Sequence, residues 1–172
     1  MPSSRTAYGN AIQAIPGTLR GYRVWRRGRD WRFLGLHNTG LLSLNGFAWN
    51  NDPGPAECAI RWYEGRWMNV RNSEDHPAPF TGCSCGYYAA YEPDGYKDYM
   101  PSPLHEAIHG CIKAYGRISL GERGFRARYV RVEAVYGFGA RAVARRYDVP
   151  WFRNKNRMLA RFPPQDVTEL LQ

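Results

Sequence analysis

Residues 108–136 read IHGCIKAYGRISLGERGFRARYVRVEAVY, and their alternation of apolar and polar residues sets the architecture of the 172-residue chain. The sequence GERG at 121–124 interrupts the alternation and has a glycine at each end. Apolar or small residues occur mostly at every second position: Ile112, Ala114, Gly116, Ile118, Phe125, Ala127, Tyr129 and Val130. A period of two is typical of a strand with one buried face, so we predict an antiparallel hairpin that turns at 121–124.

The opposite side of this hairpin is rich in arginine. Arg126, Arg128 and Arg131 fall on or near the face that the apolar residues leave. Because successive strand residues point to opposite sides, the hairpin is expected to have one apolar and one cationic face.

Upstream, the first third of the chain predicts a β-meander. Residues 22–26 alternate, residues 31–36 return after a turn at 29–30, and residues 41–49 form a third apolar run. The sequence NNDPG at 50–54 is typical of a turn and ends that run.

Downstream, the period changes from that of a strand to that of a helix. Ala140, Val143, Ala144 and Tyr147 follow the spacing i, i+3, i+4, i+7, which predicts an amphipathic helix. Its other face carries Arg141, Arg145 and Arg146. Pro150 ends this helix, and a second helix is expected from 151 to 160.

Strands first and helices last predict an α+β fold with an antiparallel, β-rich core and a C-terminal amphipathic helix. We expect an N-terminal extension over 1–20, a single α+β domain over 21–161 and a tail over 162–172. Hydrophobic residues make up 44% of the chain and aromatic residues 15%, which excludes a disordered protein. No run of about 18 apolar residues and no leader pattern is visible, so we expect a soluble cytoplasmic protein.

The net charge of +9 is concentrated at the two flanks of the chain. Residues 20–32 carry +5, residues 125–161 carry +8, and residues 50–124 carry −3. Arginine accounts for 21 of the 24 basic residues, which a GC-rich genome explains and which selection for forked phosphate contacts would also explain.

The acidic middle contains the residues best suited to a metal ion. Cys58, His76, Cys83 and Cys85 form a Cys₃His set, and Gly82 and Gly86 flank the close cysteine pair. Three thiolates and one imidazole suit tetrahedral zinc, and four protein ligands make a structural site. Two alternatives stay open: Cys111 takes the place of Cys58, or Cys58 is a buried apolar residue and His76 belongs to a loop without metal.

Two other motifs compete with the structural zinc site. Residues 105–109 read HEAIH, the H-E-x-x-H pattern of zinc metallopeptidases, but Gly110 and the alternating run after it favour a strand. Residues 144–151 resemble the turn of a helix-turn-helix, although Asp148 stands where glycine is usual. We therefore predict that residues 105–109 are not a stable helix and that the C-terminal helix packs on the sheet.

Several segments together resemble a family of short proteins of actinobacteria and their phages. They are GYRVW at 21–25, AEC at 56–58, HPAP at 76–79, CSCGYYA at 83–89, GRI at 116–118 and GERGFRA at 121–127. The resemblance spans roughly residues 21–150. It implies that the Cys and His residues and the hairpin form one unit, that 108–120 is a strand, and that the protein is regulatory or accessory.

Charge and composition together favour a binding protein over an enzyme. Basic residues interleaved with aromatic ones supply phosphate contacts and stacking surfaces for a nucleic acid. The aromatic candidates are Trp25, Trp31, Phe125, Tyr129, Trp151 and Phe152. An acidic host protein or a small phosphorylated ligand is an alternative partner, and an ordinary solvated helix face is the alternative explanation of the arginines.

Overall fold

A computed structural model describes most of the C-terminal half of the chain and separate segments of the N-terminal half. The described residues are 11–14, 18–27, 40–43, 48–49, 54–56, 60–63, 66–69, 76–80, 83, 85–96 and 107–170. Within them, no helix is long and apolar enough to cross a membrane.

Strands make up most of the regular structure. They are β1 (Ala11–Ala14), β2 (Leu19–Arg27), β3 (Leu41–Leu42), β4 (Ala48–Trp49), β5 (Ile60–Tyr63), β6 (Arg66–Asn69), β7 (Tyr87–Ala90), β8 (Ala107–Leu120), β9 (Gly124–Tyr136) and β10 (Trp151–Phe152). The helices are α1 (Ala140–Tyr147), α2 (Lys155–Arg161) and a 3₁₀ turn (Thr168–Leu170). The predicted β-rich α+β fold with C-terminal helices is confirmed.

The predicted hairpin is the central element and is confirmed. β8 and β9 pair antiparallel from His109–Tyr136 to Leu120–Phe125, and the Gly121 N–H donates to Gly124 O at 2.9 Å across the turn. The pairing shifts register twice, once beside Gly116, which has a φ of +77°. Each shift changes which residues of the strand point toward the core. Ala127 and Val130, which are three residues apart, therefore both lie in the apolar core.

The strand pairings close into a ring. β2 pairs with β8, β8 with β9, β9 with β7, and β7 returns to β2 through Tyr22–Ala90. At this closure β2 passes so near β7 that a Cβ on Gly21 would lie 2.5 Å from Ala89 Cβ and 2.6 Å from the Phe125 ring. Glycine is therefore required at residue 21 for the ring to close at this diameter.

The predicted β-meander describes only part of the N-terminal region. β2, β3 and β4 do pair antiparallel in chain order, but β2 makes its longest pairing with β8. Residues 31–36 lie outside the described residues. β1, in the predicted N-terminal extension, pairs antiparallel with residues 117–120 of β8.

The first helix is where the periodicity places it, over Ala140–Tyr147, with the four predicted apolar residues buried. Its last residue fastens it to the strands, since the Tyr147 hydroxyl accepts from Leu41 N–H at 3.0 Å and donates to Trp49 O. The Tyr147 side chain is 2% exposed, so both hydrogen bonds are shielded from water.

The second predicted helix begins later than expected. Trp151 and Phe152 form β10, which pairs parallel with the end of β9, and α2 begins at Lys155. The Asn154 side chain accepts from Arg157 N–H at 3.0 Å and caps the helix. The apolar pair after Pro150 extends the sheet, and the Asn cap moves the start of the helix four residues along the chain.

Helix α2 and the predicted tail cover the outer side of the hairpin. Met158 packs with Tyr22, Cys111 and Ala134, all fully or almost fully buried. Phe162 packs against this cluster, and its carbonyl accepts from the Tyr22 hydroxyl at 2.8 Å. Residue 162, the first of the predicted tail, is therefore packed on the hairpin, and the predicted cationic face of the hairpin is apolar where α2 covers it.

We predict that Gly21→Ala lowers the free energy of unfolding by about 1–3 kcal/mol, because the added methyl group overlaps Ala89 and Phe125. Chemical denaturation measures the loss. Arg26→Ala, at an exposed position of the same strand, is the control and is expected to change stability by no more than about 0.5 kcal/mol. A Gly21→Ala protein as stable as the parent would contradict the tight closure.

Candidate metal centre

The loop that precedes β7 carries three of the four predicted ligands. Cys83 N–H donates to Phe80 O at 3.2 Å, which folds the chain back between His76 and the cysteines. Gly86 then turns the chain into β7 with a φ of +120°, a value that glycine adopts without strain. A Cβ at residue 86 would also lie 3.1 Å from Arg126 Cβ. The sequence thus shapes a short loop pressed against β9.

His76, Cys83 and Cys85 converge in this loop. Their ligand atoms all lie within 4.8 Å of one another, and Cys85 Sγ is 3.5 Å from His76 Nε2. A sulfur and an imidazole nitrogen on one tetrahedral zinc are about 3.6 Å apart, from bond lengths of about 2.3 and 2.05 Å. The three residues are close enough to hold a metal ion, and their soft donor set is compatible with zinc.

The side chains around the cluster fix the imidazole. His76 stacks on Phe80 with ring centroids 4.4 Å apart and planes 27° from parallel. Ala78 and Pro79, between them in the chain, are buried, so the loop is anchored beneath the stacked pair. Phe80 is 42% exposed, and its ring covers one face of the imidazole.

Arg126 on β9 contacts the loop that carries Cys83 and Cys85. Its Nη1 donates to the carbonyl oxygens of Cys83 and Cys85, the latter at 3.3 Å, and its Nη2 lies 3.3 Å from Ser119 Oγ. Arg126 is 4% exposed. The sequence predicted Arg126 on an exposed, nucleic-acid-binding face, whereas in the structure the side chain is buried against the cysteine loop.

Of the two remaining cysteines, the structure describes Cys111. Cys111 is fully buried in the sheet, and burial raises its pKa to about 12, so it is a core thiol. Cys58 lies outside the described residues. Ala56, two residues before it, donates its N–H to Arg128 O at 2.6 Å.

The H-E-x-x-H segment lies partly outside the described residues, which exclude His105 and Glu106. Ala107 to His109 belong to β8, so this part of the motif is extended and not helical, as predicted. His109 Nδ1 shares a hydrogen bond of 2.6 Å with the Tyr96 hydroxyl, and its ring stacks on Tyr136. Burial raises the pKa of Tyr96, so this phenol keeps its proton.

The other predicted cationic residues have mixed surroundings. Arg128 is half-buried, with its guanidinium carbon 5.4 Å from the centroid of Tyr129. Arg131, Arg141, Arg145 and Arg146 are exposed. The helix face therefore carries its arginines as predicted, whereas the hairpin exposes Arg131 and covers Arg126.

The predicted stacking residues also divide. Trp25 and Phe125 are fully buried in the core, and Trp31 lies outside the described residues. Tyr129 and Phe152 are half-buried, and Trp151 is 42% exposed. Periodicity alone did not separate these aromatics, because most of them follow the same alternating pattern as the buried residues.

Sequence reasoning missed the contact of Arg126 with the cysteine loop and the hydrogen bond that joins Arg126 to Ser119. The only signal was their position: Ser119 and Arg126 are cross-strand partners in the hairpin, and Tyr88 pairs with Arg126 on its other side. Comparison with protein-family models, curated proteins and solved structures found no match. The resemblance to short actinobacterial and phage proteins stays a prediction.

We predict that Arg126→Met lowers metal affinity about 10–100-fold, because the loop loses the donor that holds both cysteine carbonyls in place. Competition between the protein and a chromophoric chelator for Zn²⁺ measures the affinity. Arg128→Met, two residues along the same strand, is the matched control and is expected to keep the parent value. Equal affinities for the two variants would contradict the positioning role of Arg126.

Proposed function

We propose that this protein is a small, basic, zinc-binding accessory or regulatory protein that binds a polyanion, in the first place nucleic acid. The observation that carries the zinc site is the convergence of His76, Cys83 and Cys85 within 4.8 Å. Cys58 completes the set in this proposal. Zinc then has a structural role, since four protein ligands leave no position for a substrate.

The anchoring of Ala56 supports Cys58 as the fourth ligand. Ala56 is hydrogen-bonded to Arg128, and Arg126, two residues away on β9, contacts the carbonyls of Cys83 and Cys85. Ala56 is thus held on the strand that contacts the cysteine loop, and the two residues from Ala56 to Cys58 span at most about 7 Å. Cys111, by contrast, is in the core.

The exposed arginines support a polyanionic partner. Helix α1 buries its apolar residues and turns Arg141, Arg145 and Arg146 to solvent. Arg153, Arg157 and Arg161 are exposed in the segment that follows. Guanidinium groups on a rigid element make forked hydrogen bonds to phosphate and release counterions when they do so.

We expect one zinc ion per chain in the purified protein, measured by elemental analysis together with protein concentration. Cys83→Ser and Cys58→Ser are expected to lose it, because each removes a thiolate ligand. Cys111→Ala and His105→Ala are the matched controls and are expected to keep it. Loss of zinc from His105→Ala with full occupancy in Cys83→Ser would move the metal to the H-E-x-x-H segment and contradict the proposal.

We expect affinity for nucleic acid to fall linearly with log salt, because phosphate contacts release counterions. Arg145→Ala combined with Arg146→Ala is expected to lower that slope by about two, measured by fluorescence anisotropy from low to physiological salt. Arg126→Met, which changes a covered arginine, is expected to leave the slope unchanged. Absence of binding at low salt would overturn the polyanion proposal and favour an acidic protein or small phosphorylated ligand.

A further inference from the structure

Two large apolar side chains near α1 are unusually exposed. Phe138 is 75% exposed and Trp151 is 42% exposed. Among the described residues, the other large apolar side chain with comparable exposure is Phe80, which stacks on His76. Phe138 and Trp151 lie outside the metal centre and require a different explanation.

Both residues are held by the backbone at the end of β9. Trp151 pairs with Val135 in β10, and Phe138 follows Tyr136, the last residue of β9, by two positions. Phe138 stands between Gly137 and Gly139, which have φ values of +117° and +77°. The Ala140 N–H donates to Gly137 O at 3.2 Å, so this turn is closed and leads directly into α1.

Arginine accompanies these aromatics. The Arg141 guanidinium carbon lies 5.8 Å from the centroid of the Trp151 ring, and Arg141 is three residues after Phe138. Arg145, one helical turn further along, is exposed, as is Arg153 just after β10. The one acidic residue between 137 and 161 is Asp148, which is also exposed. The surface is strongly cationic around its aromatic rings.

We infer that Phe138 and Trp151 form a stacking platform for single-stranded nucleic acid, with Arg141 and Arg145 contacting its phosphates. This rests on the proposed function and specifies its ligand. A duplex hides the faces of its bases, whereas a single strand exposes them to exposed aromatic side chains.

The combination of ring and cation favours nucleic acid over an acidic protein as the occupant. An acidic protein satisfies the arginines, whereas a nucleic acid also uses the cation-flanked ring of Trp151 and the 75% exposed Phe138. A single-stranded chain satisfies both at once, because each nucleotide supplies one phosphate and one flat base. The platform is sequence-tolerant, since every base has a π face.

The test compares a labelled oligothymidylate of about 12 nucleotides with a duplex of equal length, by anisotropy over a range of salt concentrations. We expect the single strand to bind more tightly at every salt concentration. Trp151→Ala is expected to weaken that binding about tenfold without changing the salt slope, because stacking releases no counterions. Trp151→Phe is expected to keep most of the affinity.

Two further variants distinguish the contribution of stacking to binding from the contribution of charge. Phe138→Ala, at the most exposed aromatic position, is expected to weaken single-strand binding several-fold, while Arg145→Ala lowers the salt slope by about one. Circular dichroism and the thermal midpoint check that each variant is folded.

If folded Trp151→Ala and Phe138→Ala bind as the parent does, or if the duplex binds equally well, the stacking platform is wrong although the polyanion proposal stands. If neither nucleic acid binds at low salt, both proposals fail.

Discussion

The structure depends on the close approach of β2 and β7 at residue 21. With no side chain at Gly21, the backbone of β2 lies against Ala89 and the ring of Phe125. This contact closes the circuit of strands β2, β8, β9 and β7, so the apolar residues of the hairpin face a shared interior and not one side of an open sheet. Closure also gives β7 a partner on each edge, with four residue pairs to β9 and the pair Tyr22–Ala90 to β2.

The ring in turn determines where the loop with His76, Cys83 and Cys85 lies. β7 begins two residues after Cys85, and its pairing with β9 places Tyr88 opposite Arg126. The loop that carries His76 and the cysteines then lies against the start of β9. There the buried Arg126 guanidinium donates hydrogen bonds to the carbonyl oxygens of Cys83 and Cys85. Arg117 adds a second contact, 3.4 Å from Pro77 O. The loop is fastened to the hairpin by the side chains of Arg117 and Arg126, and the strand that follows it, β7, pairs with β9.

The features that sequence predicted are those encoded by local periodicity. The hairpin follows from alternation about GERG, and α1 follows from four apolar residues at helical spacing. His76, Cys83 and Cys85 were identifiable because thiols and an imidazole beside glycines suit one tetrahedral ion. Each of these signals lies within about 30 residues of chain, where neighbours in sequence become neighbours in space.

Features that depend on distant pairing were not predictable in this way. Nothing near residue 21 reveals that residue 89 will meet it, because 68 residues separate them and the contact arises only when the ring closes. The same holds for Arg126. Its position in an alternating strand predicted an exposed side chain, but the loop from residue 76 onward buries it. The strand at Trp151–Phe152 was missed because its partner is β9 and not an adjacent segment.

The Tyr147 hydroxyl has a mechanical consequence for the surface that α1 presents. A single buried oxygen joins the helix to Leu41 and to Trp49, so α1 cannot slide or rotate against the strands without breaking two shielded hydrogen bonds. The arginines of α1 are therefore carried by a helix whose position is already fixed. A ligand that binds them restricts the arginine side chains and does not have to order the helix. Such a surface loses little conformational entropy on association, which favours affinity from a small contact area.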